Sequence, residues 1–202
     1  MLALLLLQAA APQTAMDAER AFNAMAQEKG QWTAFRAFAA DTATMFVPEP
    51  VKAQEWLKDR KDPPRSVEWW PTEIYESCDG KAAVSTGGWN RPDGSVGYFT
   101  TVWQKQTDGG WKWLVDAGDT LDKPRPRPSE PRRTRASCEQ MLMSSTPAFP
   151  EPGVKTGGDQ SPDGSLSWGW KVTSAGARTF SASTWDGRDF VRVVSDEVAA
   201  PK

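Results

Sequence analysis

The amino-acid sequence predicts an α+β fold in which helices come first and a twisted antiparallel meander follows. Three observations predict it. Asp-Gly occurs five times, at Asp79-Gly80, Asp93-Gly94, Asp108-Gly109, Asp163-Gly164 and Asp186-Gly187. This dipeptide accommodates the positive φ of tight turns, so between β-branched and aromatic runs it signals hairpins. Ahead of Asp79, apolar residues instead recur at helical spacing. Finally, within 98–104 and 111–121 both alternation classes carry apolar or aromatic side chains. A sheet with one wet face does not look like that. Helices are expected on one face, and a partner subunit or the C-terminal segment on the other.

The elements follow in order. Thr14 or Asp17 caps a first helix over 16–29, with Ala18, Phe22, Met25 and Ala26 on its buried side and Gly30 as its stop. A second short helix carries Trp32, Phe35 and Phe38 and ends near Asp41. Residues 44–47 form a short strand. Pro50 then suits the first turn of a third helix, which buries Ala53, Trp56 and Leu57. The charged stretch 58–65, with Pro63-Pro64, is a loop. Four strands are expected at 66–77, 81–89, 97–106 and 110–120, with Pro71 marking a bulge or an edge in the first. Residues 122–137 alternate Pro and Arg and read as a semi-rigid spacer, or as a polyproline ligand or phosphate-binding arm. After Cys138 and a loop rich in Ser, Pro and Gly come three strands, at 165–172, 179–184 and 189–194. The echo between Arg91-Pro92-Asp93-Gly94-Ser95 and Ser161-Pro162-Asp163-Gly164-Ser165 is repeated turn chemistry rather than a repeat architecture.

Composition excludes several function classes. The 202 residues suit one domain with an extension. Lys and Arg number 24 against 26 for Asp and Glu, so no broad positive field exists to attract nucleic acid. Histidine is absent. That removes the Ser-His-Asp triad, the Cys-His dyad, His-ligated zinc and the imidazole shuttle. Catalysis, if present, runs on carboxylates, Tyr, Lys, Ser or Thr, and neither a metal nor a cofactor is implied. The 11 Trp and 8 Phe supply a core. Residues 2–11 are apolar but too short to span a bilayer. They have the character of a secretory signal, cut near Ala9-Ala10-Ala11 or Ala15, which implies a periplasmic or secreted protein. With no Cys in the first 30 residues, a lipid anchor is not expected. Cys78 and Cys138, the only cysteines, form a disulfide or remain two buried thiols; export favours the disulfide.

The meander carries a resemblance. Trp69-Trp70-Pro71, Ser77-Cys78-Asp79-Gly80, Ser85-Thr86-Gly87, the run Gly97-Tyr98-Phe99-Thr100-Thr101-Val102-Trp103-Gln104-Lys105 and the run Gly110-Trp111-Lys112-Trp113-Leu114-Val115-Asp116 occur in a characteristic order. In this the sequence resembles SnoaL-like, ketosteroid-isomerase-like members of the nuclear-transport-factor-2-like superfamily, over residues 16–121. The resemblance implies a cystatin-like α+β cone, a curved antiparallel sheet wrapped around N-terminal helices and enclosing an apolar cavity. Residues 1–15 then form a signal segment, 122–137 a linker and 138–202 a three-strand extension packed on the cone. Such proteins include isomerases, cyclases, dehydratases and non-catalytic binding or assembly domains, so fold transfers better than function. The isomerases use a helix-borne Tyr where this chain has Phe22. Related members carry a His near the end of the last strand, where this chain has Asp116-Ala117-Gly118-Asp119.

The candidate catalytic residues are Asp116, Asp119, Glu68 and Tyr98. A carboxylate in an aromatic pocket is held toward its neutral form, and its pKa rises into the range useful for proton transfer. A Tyr hydroxyl can donate to a developing oxyanion. The candidate cavity wall is Trp32, Phe35, Phe46, Trp56, Trp70 and Trp103. Three functions remain open: binding of a small apolar molecule, cofactor-free isomerase or dehydratase chemistry, and a homodimerisation or interaction module.

Overall fold

The computed structural model describes residues 13–139 and 152–201. The apolar segment at 2–11 lies outside them, as does most of the loop after Cys138.

The chain runs α1 (Ala15–Lys29), α2 (Gln31–Phe38), β1 (Ala39–Phe46), β2 (Pro50–Lys52), α3 (Ala53–Leu57), β3 (Glu68–Glu76), β4 (Ala82–Asn90), β5 (Val96–Lys105), β6 (Trp111–Leu121), β7 (Arg132–Arg135), β8 (Lys155–Gln160), β9 (Leu166–Val172), β10 (Arg178–Trp185) and β11 (Phe190–Val198). This is a mixed α+β architecture with a large curved sheet. One sheet has the order β2-β1-β6-β5-β4-β3-β7 and a second the order β11-β10-β9-β8.

Thr14 and Asp17 cap α1 together. Thr14 Oγ1 accepts from the Asp17 N–H, and the Asp17 carboxylate accepts from the Thr14 N–H, a reciprocal box that satisfies two orphan donors. Gly30, at φ 109°, ends α1 and starts α2. The cap of α2 comes from across the fold: Asp62 accepts from Thr33 N–H at 2.9 Å and from Thr33 Oγ1 at 2.6 Å. Pro50 does not open a helix. It pairs with Phe46 as the first residue of β2, and α3 begins at Ala53.

The expected Asp-Gly turns form at four of the five sites with a common geometry. Gly80, Gly94, Gly109 and Gly164 each donate back to the residue three before, and only the glycine takes positive φ. Each is a turn followed by a left-handed Gly, the longer hairpin connection, rather than the two-residue form with positive φ at both positions. Asp186 instead bridges to Asp189.

Two cores lie on opposite faces of the large sheet. On one, α1–α3 pack Phe22, Ala26, Ala34 and Leu57 against Trp69, Ile74, Phe99, Trp103, Trp111 and Trp113. On the other, Tyr75, Ala82, Val84, Val102 and Val115 meet Leu166, Trp168, Phe180, Ala182 and Val194 of the second sheet. Both faces of the meander are dry, as the double apolar alternation requires. The second sheet has four strands where three were expected. The missed strand, β8, reads Lys-Thr-Gly-Gly-Asp-Gln and is mostly exposed. Its weak β-propensity hides it, and the Trp170 ring covers Gly157, where a Cβ would come within 2.4 Å.

The Pro/Arg segment is no free spacer. It lies along the large sheet and ends as β7, parallel to β3. Arg127 pairs with Glu68, Arg132 with Glu73, and Arg133 and Arg135 with Glu76. Trp70 Nε1 donates to Pro126 O at 2.9 Å. Prolines have no N–H to satisfy, and the arginines meet the acids of β3. Cys78 and Cys138 are joined as a disulfide. Beside it, Cys78 N–H donates to Ser165 Oγ and Asp79 N–H to Asp163, so the Asp79-Gly80 turn locks onto the Asp163-Gly164 turn.

Candidate functional site

Between the helices and one end of the sheet lies an open cavity of about 280 Å³, walled by Phe22, Trp32, Phe35, Met45, Phe46, Trp69, Trp89 and Phe99, with Gln31, Arg91, Asp116 and Thr120 as polar lining. Its rings make edge-on contacts, Trp32 with Phe35 at 5.5 Å and Phe22 with Trp69 at 4.6 Å. Trp89 lies flat because its cross-strand neighbour is Gly97. A Cβ at Gly97 would come within 2.1 Å of that ring. The Trp89 indole N–H then reaches Tyr98 O at 2.9 Å.

Asp116 enters this cavity because β6 is irregular. Trp103 pairs with Trp113 but Val102 with Val115, so Leu114 is an extra residue. A bulge places two successive residues against one partner and reverses the alternation beyond it. Trp111 and Trp113 face the helices, Leu114 and Val115 turn to the second sheet, and Asp116 returns to the helical side. Strict alternation would have set Asp116 opposite Trp113. Its carboxylate accepts from Thr101 Oγ1 at 3.0 Å and, among the described residues, forms no ion pair within 4 Å. Loss of hydration, strengthened by the Glu19 carboxyl, pushes its pKa up to about 7 against the hydrogen bond from Thr101.

The other expected residues divide. Trp32, Phe35 and Phe46 line the cavity. Trp103 does not; it is fully buried beneath it and donates to Glu19 at 2.8 Å. Trp56 packs outside, edge-on to Trp32 and under the Arg60 guanidinium. Trp70 is held by the Pro/Arg segment beside a separate hollow. Glu68 lies away from the cavity, paired with Arg127 at 2.8 Å. Tyr98 and Asp119 touch the cavity rim but pair across β5 and β6 on the face opposite Phe99. The Tyr98 ring therefore sits toward the second sheet, 4.9 Å from the Arg125 guanidinium. Its phenol is pushed up to about 12 by burial and by Asp196 and Asp119, which leaves it a neutral ring between sheets rather than a partner of Asp116.

Sequence reasoning missed Glu19. It is fully buried, and its carboxyl accepts from Trp69 Nε1 at 2.8 Å, Trp103 Nε1 at 2.8 Å and Ser85 Oγ at 2.5 Å. Burial raises its pKa and the three hydrogen bonds oppose that rise. Ser85, Thr101 and Asp116 are cross-strand neighbours on β4, β5 and β6, so a polar row runs under the rings from Glu19 to the cavity. The only signal in the sequence was a Glu on the apolar side of α1, one residue from Ala18 and three from Phe22. Among the described residues no cluster of acidic or sulfur ligands suits a metal ion, and no helix is long and apolar enough to cross a membrane.

No family model matches the chain, and no curated protein matches it. Among solved structures it is similar to a protein of Parabacteroides distasonis described as a candidate ketosteroid isomerase, with 12% identity and a TM-score of 0.44, over 53% of this chain and 88% of that one. It is also similar to a candidate ketosteroid isomerase of Shewanella frigidimarina, with 18% identity and a TM-score of 0.39, over 51% of this chain and 92% of that one. A third is a Catenulispora acidiphila protein in complex with S-DNPA, with 11% identity and a TM-score of 0.39, over 52% of this chain and 90% of that one. Each of these likenesses covers about half of this chain.

Proposed function

We propose that this protein is an exported α+β cone that binds a small, largely apolar molecule in its aromatic cavity. The observation that carries the reading is an open, ring-walled hollow of about 280 Å³ with the Asp116 carboxyl on its wall, bonded to Thr101 Oγ1 and, among the described residues, to no cation. Apolar walls with one or two converging polar groups are the usual composition of small-molecule sites. Residues 16–121 form the cone in this reading, and the strands beyond Cys138 serve as its cover. The disulfide suits an oxidising compartment.

Titration of the intrinsic Trp fluorescence with hydrophobic ketones, sterols, polyketide-like rings and fatty acids tests it. At least one class should saturate at micromolar concentration and raise Tm. If none changes fluorescence or Tm, the ligand-binding reading is wrong.

A second reading follows from the pKa of about 7 at Asp116. A group poised there can both take and return a proton near neutrality, which supports cofactor-free isomerisation or dehydration beside a carbonyl. A C–H proton passes to Asp116, the electrons move into an enolate, and Asp116 returns a proton to another carbon, after exchanging it with solvent in a share of turnovers. NMR of a bound ketone in deuterated buffer should show deuterium entering beside the carbonyl, abolished in Asp116→Asn. Retained binding with no exchange would leave a binder alone.

A further inference from the structure

Arg91 stands at the entrance of the cavity, on the first residue of the β4–β5 turn. Its backbone is fixed there, with N–H donating to Ser95 O and its carbonyl accepting from Gly94. Its guanidinium carbon lies 4.5 Å from the Trp89 ring centre, and Trp89 and Arg91 both line the cavity. Stacking on a ring occupies the face of a guanidinium and leaves its in-plane N–H donors free. No carboxylate lies within 4 Å of it among the described residues. Asp93, the nearest acid in sequence, is turned onto Ser95 N–H and Oγ at 2.9 and 2.7 Å. Asp119 accepts from the Thr120 N–H. A cation with its donors unspent therefore sits over an apolar hollow.

Resting on the ligand-binding reading above, we propose that Arg91 selects an anionic ligand: an apolar body of ring dimensions bearing a carboxylate, or an equivalent oxyanion, at the end nearest the solvent. A guanidinium meets a carboxylate through two parallel N–H bonds, and the stacking on Trp89 has already oriented it. Arg91 lies six positions along the chain from Ser85, which shares a cross-strand row with Asp116. That is roughly 20 Å of strand, and the reach of the two side chains leaves on the order of 10 Å between charged groups. The span fits two or three rings, with the anion at Arg91 and a hydrogen-bonding group at Asp116.

Two dyes that share one skeleton provide the test. 1-Anilinonaphthalene-8-sulfonate carries a sulfonate, and N-phenyl-1-naphthylamine is the same molecule without it. Wild-type protein should bind the sulfonate at least as tightly as the neutral dye. Arg91→Gln should weaken the sulfonate about ten-fold and the neutral dye less than two-fold, while Arg91→Lys keeps part of the preference. Arg188→Gln, an exposed cation on the β10–β11 turn, should change neither. The side chain of Arg91 is exposed and makes no hydrogen bond within the described fold, so the variant keeps the native circular dichroism. Equal weakening of both dyes, or equal loss from Arg188→Gln, overturns the role of Arg91 and leaves the cavity reading intact. Failure of both dyes to bind the wild type overturns the two together.

Discussion

Asp116 and Glu19 hold their protons more tightly in the folded chain than in the unfolded one, because burial penalises the charged form. The sign of the pH dependence follows. Stability from these groups is complete below their unfolded values of 3.8 and 4.5 and falls as pH rises, for Asp116 until about 7. Asp116→Asn should remove its share of that loss, and be more stable than wild type by about 1–3 kcal/mol at pH 8 but not at pH 4. Urea unfolding at the two pH values measures it. Neighbouring tryptophans should behave differently. Trp103 donates to Glu19, whereas the Trp113 indole N–H is buried without a partner among the described residues. Trp103→Phe strips a donor from a buried carboxyl and should cost about 2–4 kcal/mol, against less than about 1.5 for Trp113→Phe. Equal losses would show that the Glu19 hydrogen bonds do not matter.

At the scale of elements, the order of helices and strands was legible because periodicity and turn chemistry are local. The first two helices, the four meander strands and three of the strands after Cys138 stand within a few residues of where the sequence puts them. What was hidden depends on partners distant in sequence. The bulge at Leu114 is a property of the β5–β6 pairing, and it alone decides that Asp116 and Trp113 share a face. Tyr98 and Asp119 are expected as cavity groups from their residue types and their places on the strands, whereas the sheet face they occupy is set by the β5–β6 pairing. Arg132–Arg135 became a strand through the acids of β3, which no pattern of Pro and Arg discloses. The disulfide is a further tie at this scale, joining the end of β3 to the end of that strap across 60 residues. Reduction, or the paired Cys78→Ser and Cys138→Ser changes, should lower stability by about 2–5 kcal/mol. The midpoint of urea unfolding with and without reductant gives the value, and coincident midpoints would refute a structural role.

For the whole molecule, the sequence leaves open whether a neighbouring subunit or the C-terminal segment covers the second face of the meander. The second sheet supplies the cover, with Phe180 and Val194 buried against Val84 and Val102, and Trp170 edge-on to Phe46 at 5.4 Å. Function was less legible than fold. Ring-rich strands announce a core but not which rings leave a hollow, and of six tryptophans and phenylalanines chosen for the wall, Trp56, Trp70 and Trp103 were spent elsewhere.

The second sheet is tethered to the surface it protects by the same chain and by a covalent sulfur link. Its docking is thus a unimolecular event, exempt from the law of mass action that governs a borrowed subunit. Melting temperature should accordingly stay constant across a hundred-fold range of protein concentration, and a Tm that climbs with concentration would mean that a second copy is required after all.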